Sequence, residues 1–435
     1  MKRHLNRLVL CLFALLPATA SGQAARSDTT AWVQAVAGGF EARAMTQAVT
    51  CPVLHANGVA VSMTVRAAAD DRFPLLCAAR LPAGTSLADI DGAALPVPAA
   101  DPSRILLVGD SGCRRKGATV QDCRHQWPFA QTAAAAAALH PDLVIHLGDY
   151  VSRESPCAPH AKDCVESPHG DTGPAWRVDF FDPAAPLLAA APVVLARGNH
   201  EDCSRQGRGW LRLMGPGPFD PAGSCASHVP LFTVDLGTLH LAVMDDASTP
   251  DRALNRGDLP AYIADLNGLR ALASPVWLVL HRPIWAAIAG PLGIPVGGNR
   301  TMVQAVHDAA QAQAEAGQDV PLMPASVALQ LSGHIHAFEA INYDRSVPPQ
   351  IVAGIGGDML HDTPENLWGA VFQGPETVRV TTGISDHGFG FVLMTRTVDG
   401  WSVELYDSAG NPTRNCHFYA ARANQPGQVD CPTAK

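Results

Sequence analysis

Nothing in this sequence repeats at a fixed period, no Cys-x-x-Cys pair occurs in it, and lysine and arginine are in the minority. The first absence excludes a repeat array, and the second removes the usual signature of a cysteine metal site. The third shows in 31 Lys+Arg against 40 Asp+Glu, a net charge of −9. That balance disfavours a nucleic-acid platform or broad adhesion to an anionic membrane, and is compatible with a local basic pocket. Past residue 20, no apolar run approaches spanning length without a charge, proline or glycine to break it. What remains is ordinary globular material. The chain has 435 residues, 47% hydrophobic and 16% charged, enough for two or three domains with real cores.

The first twenty residues read as an export signal. Lys2, Arg3 and Arg7 precede an apolar stretch from Leu8 to Leu16, and Ala18-Thr19-Ala20 supplies small residues for cleavage near Ala20. The mature protein is therefore expected to be secreted or periplasmic, with no membrane attachment once the signal is removed. Ten further cysteines agree with an oxidising compartment. Sequence proximity pairs them as Cys51–Cys77, Cys113–Cys123, Cys157–Cys164, Cys203–Cys225 and Cys416–Cys431.

Alternating runs such as Val59 to Val65 predict a β-rich module that, with its linker, occupies residues 21–100. From Arg104 the pattern becomes strand, loop, helix, strand, which marks 101–410 as an α/β catalytic domain. A tail over 411–435 is expected to be stapled by its disulfide. Apolar runs at 105–108, 143–147, 193–195, 239–244, 276–280 and 327–331 suit strands buried on both faces. Helical spacing places Leu259, Ile263, Leu266 and Leu269 on one face, and Val303, Val306 and Ala310 on another.

Polar residues appear where these strands end, the place where open α/β sheets bind ligands. The strand ends read Gly109-Asp110-Ser111-Gly112, Gly148-Asp149-Tyr150, Gly198-Asn199-His200-Glu201, His281-Arg282-Pro283 and Gly333-His334-Ile335-His336. Carboxylates, an amide and imidazoles of this kind suit a pair of cations, which acidify water and clamp phosphoryl oxygens. This ordered set resembles the calcineurin-like metallophosphoesterases over residues 104–340, and its Gly-Asp-x-Gly opening resembles the purple acid phosphatase branch.

The resemblance implies a four-layer sandwich of two mixed β-sheets flanked by helices, with two divalent or trivalent ions (iron, manganese or zinc). It implies that Asp110 and His336 bind one ion, that Asn199, His281 and His334 bind the other, and that Asp149 bridges them. His200 would face the substrate as proton donor or phosphate contact. The activity implied is hydrolysis of a small phosphorylated substrate, a phosphomonoester first. The alternatives are a phosphodiesterase acting on nucleotides or lipid headgroups, and a secreted binding protein of the same fold without turnover. A three-histidine zinc site from His281, His334 and His336 would leave Asp110, Asp149 and Asn199 unexplained.

Two positions depart from the family patterns: Gly112 stands where a histidine would follow Asp110, and Ser152 stands where a tyrosine would follow Asp149. The first site thus lacks one protein ligand, which water, Ser152 or the Arg153–His169 loop could replace. A ferric ion held by tyrosinate is not expected. Among weaker signals, Glu201 and Glu154 could orient a histidine. Arg197 and Arg282 read as ion-pair residues, Asp245 and Asp246 as structural, and His160 and His169 as exposed loop residues. The glycine-rich segment from Ile351 to Asp358 reads as a turn lining the cleft.

Overall fold

The computed structural model describes residues 29–157, 167–289, 295–296, 298–344, 347–421 and 427–432. The expected export signal, and Cys164 of the expected Cys157–Cys164 bridge, lie outside these residues. The strands that matter for the site are β1 (Thr29–Val36), β2 (Arg104–Val108), β3 (Leu143–His146), β4 (Val193–Leu195), β5 (Leu239–Val243), β6 (Val276–Val279), β7 (Val327–Ser332), β8 (Phe338–Tyr343), β9 (Gln350–Ala353) and β10 (Gly390–Arg396). Four helices cover them: α1 (Phe129–Ala137), α2 (Asp182–Ala190), α3 (Leu259–Arg270) and α4 (Arg300–Glu315).

An eleven-stranded sheet contains the consecutive strands β10, β2, β3, β4 and β1, and an eight-stranded sheet contains β5, β6, β7, β9 and β8. Both are mixed. β2, β3 and β4 run parallel, with Leu106 beside Val144 and Val144 beside Val193, while β10 lies antiparallel to β2. In the second sheet β5, β6, β7 and β9 are parallel and β8 returns antiparallel to β9.

The pleat explains why these runs are apolar throughout. Ile105 and Leu107 face the second sheet and share a core with Leu241, Val243, Val279 and Leu331. Leu106 and Val108 point the other way, into a cluster with Phe129, Ala133, Leu187 and Leu188 of α1 and α2. Leu278 and Leu280 likewise face outward onto Leu266 and Leu269 of α3 and Met302 and Val306 of α4. Burial of each such side chain favours the fold by about 1.5–3 kcal/mol before entropy is counted. The result is the four-layer order helix, sheet, sheet, helix.

α3 buries Leu259, Tyr262, Leu266 and Leu269, with Ile263 half-buried at its flank. α4 buries Met302, Ala305, Val306 and Ala309, which leaves Val303 and Ala310 on the edge of the buried stripe. It begins at Asn299, whose side chain accepts from the backbone N–H groups of Thr301 and Met302.

Residues 29–100 of the segment 21–100, expected as a β-rich module with a linker, supply strands to two sheets. β1, Gly39–Thr46, Thr64–Ala67 and Leu75–Arg80 extend the larger sheet beyond β4, with Gln34 of β1 beside Val193. Val53–Ala56, Val59–Ser62, Ala88–Ile90 and Ala93–Leu95 form a separate four-stranded sheet. Leu54 and Ile90 of that small sheet enter the same central core. At the opposite edge of the large sheet, Pro412–Tyr419 and Gln428–Asp430 form its last two strands. Four of the expected disulfides form: Cys51–Cys77, Cys113–Cys123, Cys203–Cys225 and Cys416–Cys431. Among the described residues no helix is long and apolar enough to cross a membrane.

One core residue carries a pH dependence. Glu339 on β8 is fully buried and, among the described residues, accepts only from Ala287 N–H, at 3.2 Å, while its Oε1 has no partner there. Burial, only partly offset by that hydrogen bond, pushes its pKa from 4.5 up to about 8. The folded state therefore holds this proton more tightly than the unfolded chain. The resulting stability is complete below about 4.5 and is lost as the pH rises through about 8. Glu339→Gln keeps the acceptor and removes the titration. Urea midpoints at pH 5 and pH 8 should fall more for the natural protein than for the variant; equal falls would mean that this carboxyl does not carry the dependence.

Candidate metal centre

Five loops bring the polar strand ends together between the sheets. Asp110 follows β2, Asp149 follows β3, Asn199 and His200 follow β4, His281 follows β6, and His334 and His336 follow β7. Asp110, Asp149 and His334 all adopt the left-handed backbone region, with φ of 55°, 58° and 66°. Such strained conformations in residues that bear a β-carbon persist where the surroundings over-determine them.

Among the described residues, two groups of side chains have ligand atoms within 4.8 Å of one another. One contains Asp110, Asp149 and His336, the other Asp149, His281 and His334. Asp149 is common to both. His336 Nε2 stands 3.2 Å from Asp110 Oδ1, and His281 Nε2 stands 3.3 Å from Asp149 Oδ2. Asn199 joins the second group, its amide oxygen 3.1 Å from His281 Nε2.

The opposite ring nitrogens are tied elsewhere, which fixes the imidazoles. His281 Nδ1 donates to Leu147 O at 2.7 Å, and His336 Nδ1 donates to Met359 O at 2.5 Å. His334 Nε2 lies 3.0 Å from Asp251 Oδ2, and Arg282 Nη1 holds that carboxylate from the other oxygen at 2.5 Å. Nε2 of His281 and His336 and Nδ1 of His334 are thereby left facing the centre.

These donors fit cations. Asp110 Oδ1 is buried and makes no well-aligned hydrogen bond among the described residues, although His336 Nε2 stands 3.2 Å away. One end of the Asn199 amide stands 2.7 Å from His334 Nδ1 and 3.1 Å from His281 Nε2. As a nitrogen it would donate to both rings; as an oxygen it faces two imidazole nitrogens, an arrangement that suits a shared cation. Charge tells the same story. Burial opposes protonation of His281, but Asp149, Asp110 and Asp246 outweigh it and push its pKa up to about 10. For His336 burial is again outweighed, by Asp358 and Asp110, and the pKa rises to about 9. In both cases a proton takes the place a metal would hold among the carboxylates.

Around this centre the sequence expectations divide. Glu201 does not orient a histidine. Its buried carboxylate accepts from the N–H groups of Asp149, Tyr150, Val151 and Gly198 at 2.9–3.2 Å, and so binds two of the site loops together. Glu154 is the acid beside a histidine, with Oε1 3.0 Å from His200 Nδ1. Ser152 donates its hydroxyl to Asp358 at 2.8 Å. Tyr150 donates to Ala196 O at 2.7 Å. Arg197 pairs with Asp245 at 3.1 Å and Arg282 with Asp251, the ion-pair roles expected of both. Asp246 accepts from the N–H groups of His281 and Arg282 and fixes that loop.

Sequence reasoning missed Asp251, Asp358 and His361. His361 stacks on His336 with ring centroids 4.3 Å apart, and its Nδ1 accepts from His336 N–H at 3.1 Å. Asp251 and His361 stand in no glycine-flanked strand-end motif, and Asp358 closes the glycine-rich segment after β9, which the sequence marked only as a turn. Beside the centre lies an open groove of about 810 Å³, lined by Trp127, Met359, Leu360 and Phe389 among others.

Solved structures that share the fold include a purple acid phosphatase and PhoD. Purple acid phosphatase PPD1 from yellow lupin seeds matches 94% of this chain and 78% of its own, with TM-score 0.57 and 13% identity. PhoD matches 94% of this chain and 93% of its own, with TM-score 0.56 and 10% identity. No curated protein matches the chain. The sequence profile described as calcineurin-like phosphoesterase matches residues 103–338, more than half of the chain. With those residues carrying the paired aspartate and histidine groups, the chain belongs to the calcineurin-like phosphoesterases, metal-dependent hydrolases of phosphoric esters.

Proposed function

We propose that this protein is an exported phosphomonoesterase that works with two metal ions. Asp110 and His336 would hold one ion and Asn199, His281 and His334 the other, with Asp149 between them. The observation that carries the reading is that Asp149 belongs to both groups of convergent ligand atoms. When bound, such a pair supplies an acidified water and positive charge opposite the phosphoryl oxygens.

The chain's own residues do the rest. His281 and His336 keep their Nε2 lone pairs toward the site because Leu147 O and Met359 O hold the other nitrogens. His200 is anchored through its backbone N–H to Asp149 Oδ1 at 2.8 Å and through Nδ1 against Glu154. Glu154 beside Nδ1 fixes the ring, and Nε2, 3.7 Å from Asp149 Oδ2, is the atom that would pass a proton to the departing alcohol. Four disulfides support export to an oxidising compartment.

The test is hydrolysis of a nitrophenyl monoester against the bis-nitrophenyl diester, by mature protein loaded in turn with manganese, zinc and iron. Monoester preference is expected. Diester preference would replace the reading with a phosphodiesterase, and metal uptake without hydrolysis of either ester would leave a binding protein.

A further inference from the structure

The two positions that lack a family ligand are packed against each other. A β-carbon added at Gly112 would stand 2.5 Å from Ser152 N and 2.8 Å from Ser152 Oγ, so this contact needs glycine. Ser152 Oγ donates to Asp358 Oδ2. Asp358 is fully buried, and its backbone N–H donates to Asp110 O at 2.8 Å, which fixes it beside the first group. The same carboxylate takes Arg114 as a two-pronged fork, Nε to Oδ1 at 2.8 Å and Nη2 to Oδ2 at 2.8 Å.

That chain of contacts ends in a guanidinium. The Arg114 side chain is 20% exposed, and its Nη1 has no partner among the described residues. Burial works against its charge, but Asp358, then Asp149 and Asp110, outweigh it and raise the pKa, a sign that the guanidinium sits within the field of the metal centre. Two other arginines lie near the centre on its second side. Arg282 is taken up by Asp251, and Arg205 by Glu154 and Asp202. Arg114 stands on the side where the ligand is missing, joined to Ser152 through Asp358.

We propose that Arg114 binds the phosphoryl group of the substrate, and that Asp358 and Ser152 are positioning residues that hold it for this purpose. The proposal rests on the phosphoesterase reading, since that reading places a phosphoryl group at Asp110 and Asp149. A guanidinium locked in a bidentate pair has already lost its rotamer freedom, so an anion that meets the free Nη1 gains contact at little further entropic cost. Positive charge from the chain then stands where the first site has one protein ligand fewer.

The test is binding of inorganic phosphate to the metal-loaded protein, read by calorimetry and as competitive inhibition, with metal content measured in parallel. Arg114→Gln should weaken phosphate binding by about tenfold or more, the scale of one charge-assisted hydrogen bond, with metal content unchanged. Arg114→Lys keeps the charge without the fork and should fall between the two. Asp358→Asn should weaken binding less than Arg114→Gln. Unchanged phosphate affinity in a folded Arg114→Gln protein, or in Arg114→Lys should the glutamine variant unfold, would overturn the proposal. A natural protein that binds phosphate yet hydrolyses no ester would instead count against the hydrolase reading, while the affinity comparison would still decide the role of Arg114.

Discussion

Asp149→Ala is expected to lower monoester turnover by more than about a thousandfold, beyond the hundred- to thousandfold that loss of one preorganised charge-stabilising group costs. Bound metal should fall from two equivalents to one or none. The reason is that Asp149 is the one carboxylate common to both ligand groups. Without it the first group keeps Asp110 and His336, the second keeps His281 and His334 with Asn199, and nothing negative lies between two cations to reduce their repulsion. The substitution also strips His200 N–H of its acceptor, Asp149 Oδ1 at 2.8 Å. A buried donor left unpaired costs about 1–3 kcal/mol, so a modest fall in melting temperature should accompany the loss of metal. Elemental analysis and nitrophenyl release on the same preparation check both halves. Natural turnover with two metals retained would mean that the ions are held without Asp149.

How far the site could be read from the sequence depends on whether the information was local. Asp110, Asp149, Asn199, His281, His334 and His336 were visible because each directly follows a buried strand, in short motifs flanked by glycine or proline. Their companions were not. Asp251 reaches His334 across 83 residues, and Asp358 reaches Arg114 across 244. Such partners are set by how loops fold over the strand ends, and loop shape leaves no period in the sequence. Glu201 shows the same limit from the other side. An acid beside an asparagine and a histidine suggested a partner for imidazole, yet four backbone donors had first claim on it, as a buried peptide group must find an acceptor. The fold divides similarly. Alternation in the 21–100 segment gave strands, but the pairing of β1 with β4 joins Gln34 to Val193, and nothing near either residue specifies the other.

Gly198→Ala is expected to be among the most damaging changes of a single methyl group. Gly198 has φ −88° and ψ 170°, a conformation open to alanine, so no backbone strain enters. The obstacle is space. A β-carbon there would lie 2.1 Å from Asp149 N, 2.2 Å from Asp149 Oδ1 and 2.7 Å from Glu201 Oε2. The loops after β3 and β4 must then separate, and the residue displaced is the carboxylate that both metal groups share. Misplacement of about 1 Å in a reacting constellation costs about a hundredfold, and overpacking costs about 1–3 kcal/mol of stability. Turnover should therefore fall by about a hundredfold or more while the variant still folds. Gly217→Ala provides the contrast, since a β-carbon there meets nothing within 4 Å. It should leave turnover and melting temperature close to those of the natural protein. A Gly198→Ala protein as active as Gly217→Ala would mean that the centre tolerates separation of its two loops, and that the close approach of Gly198 to Asp149 is not what sets the spacing of the ligands.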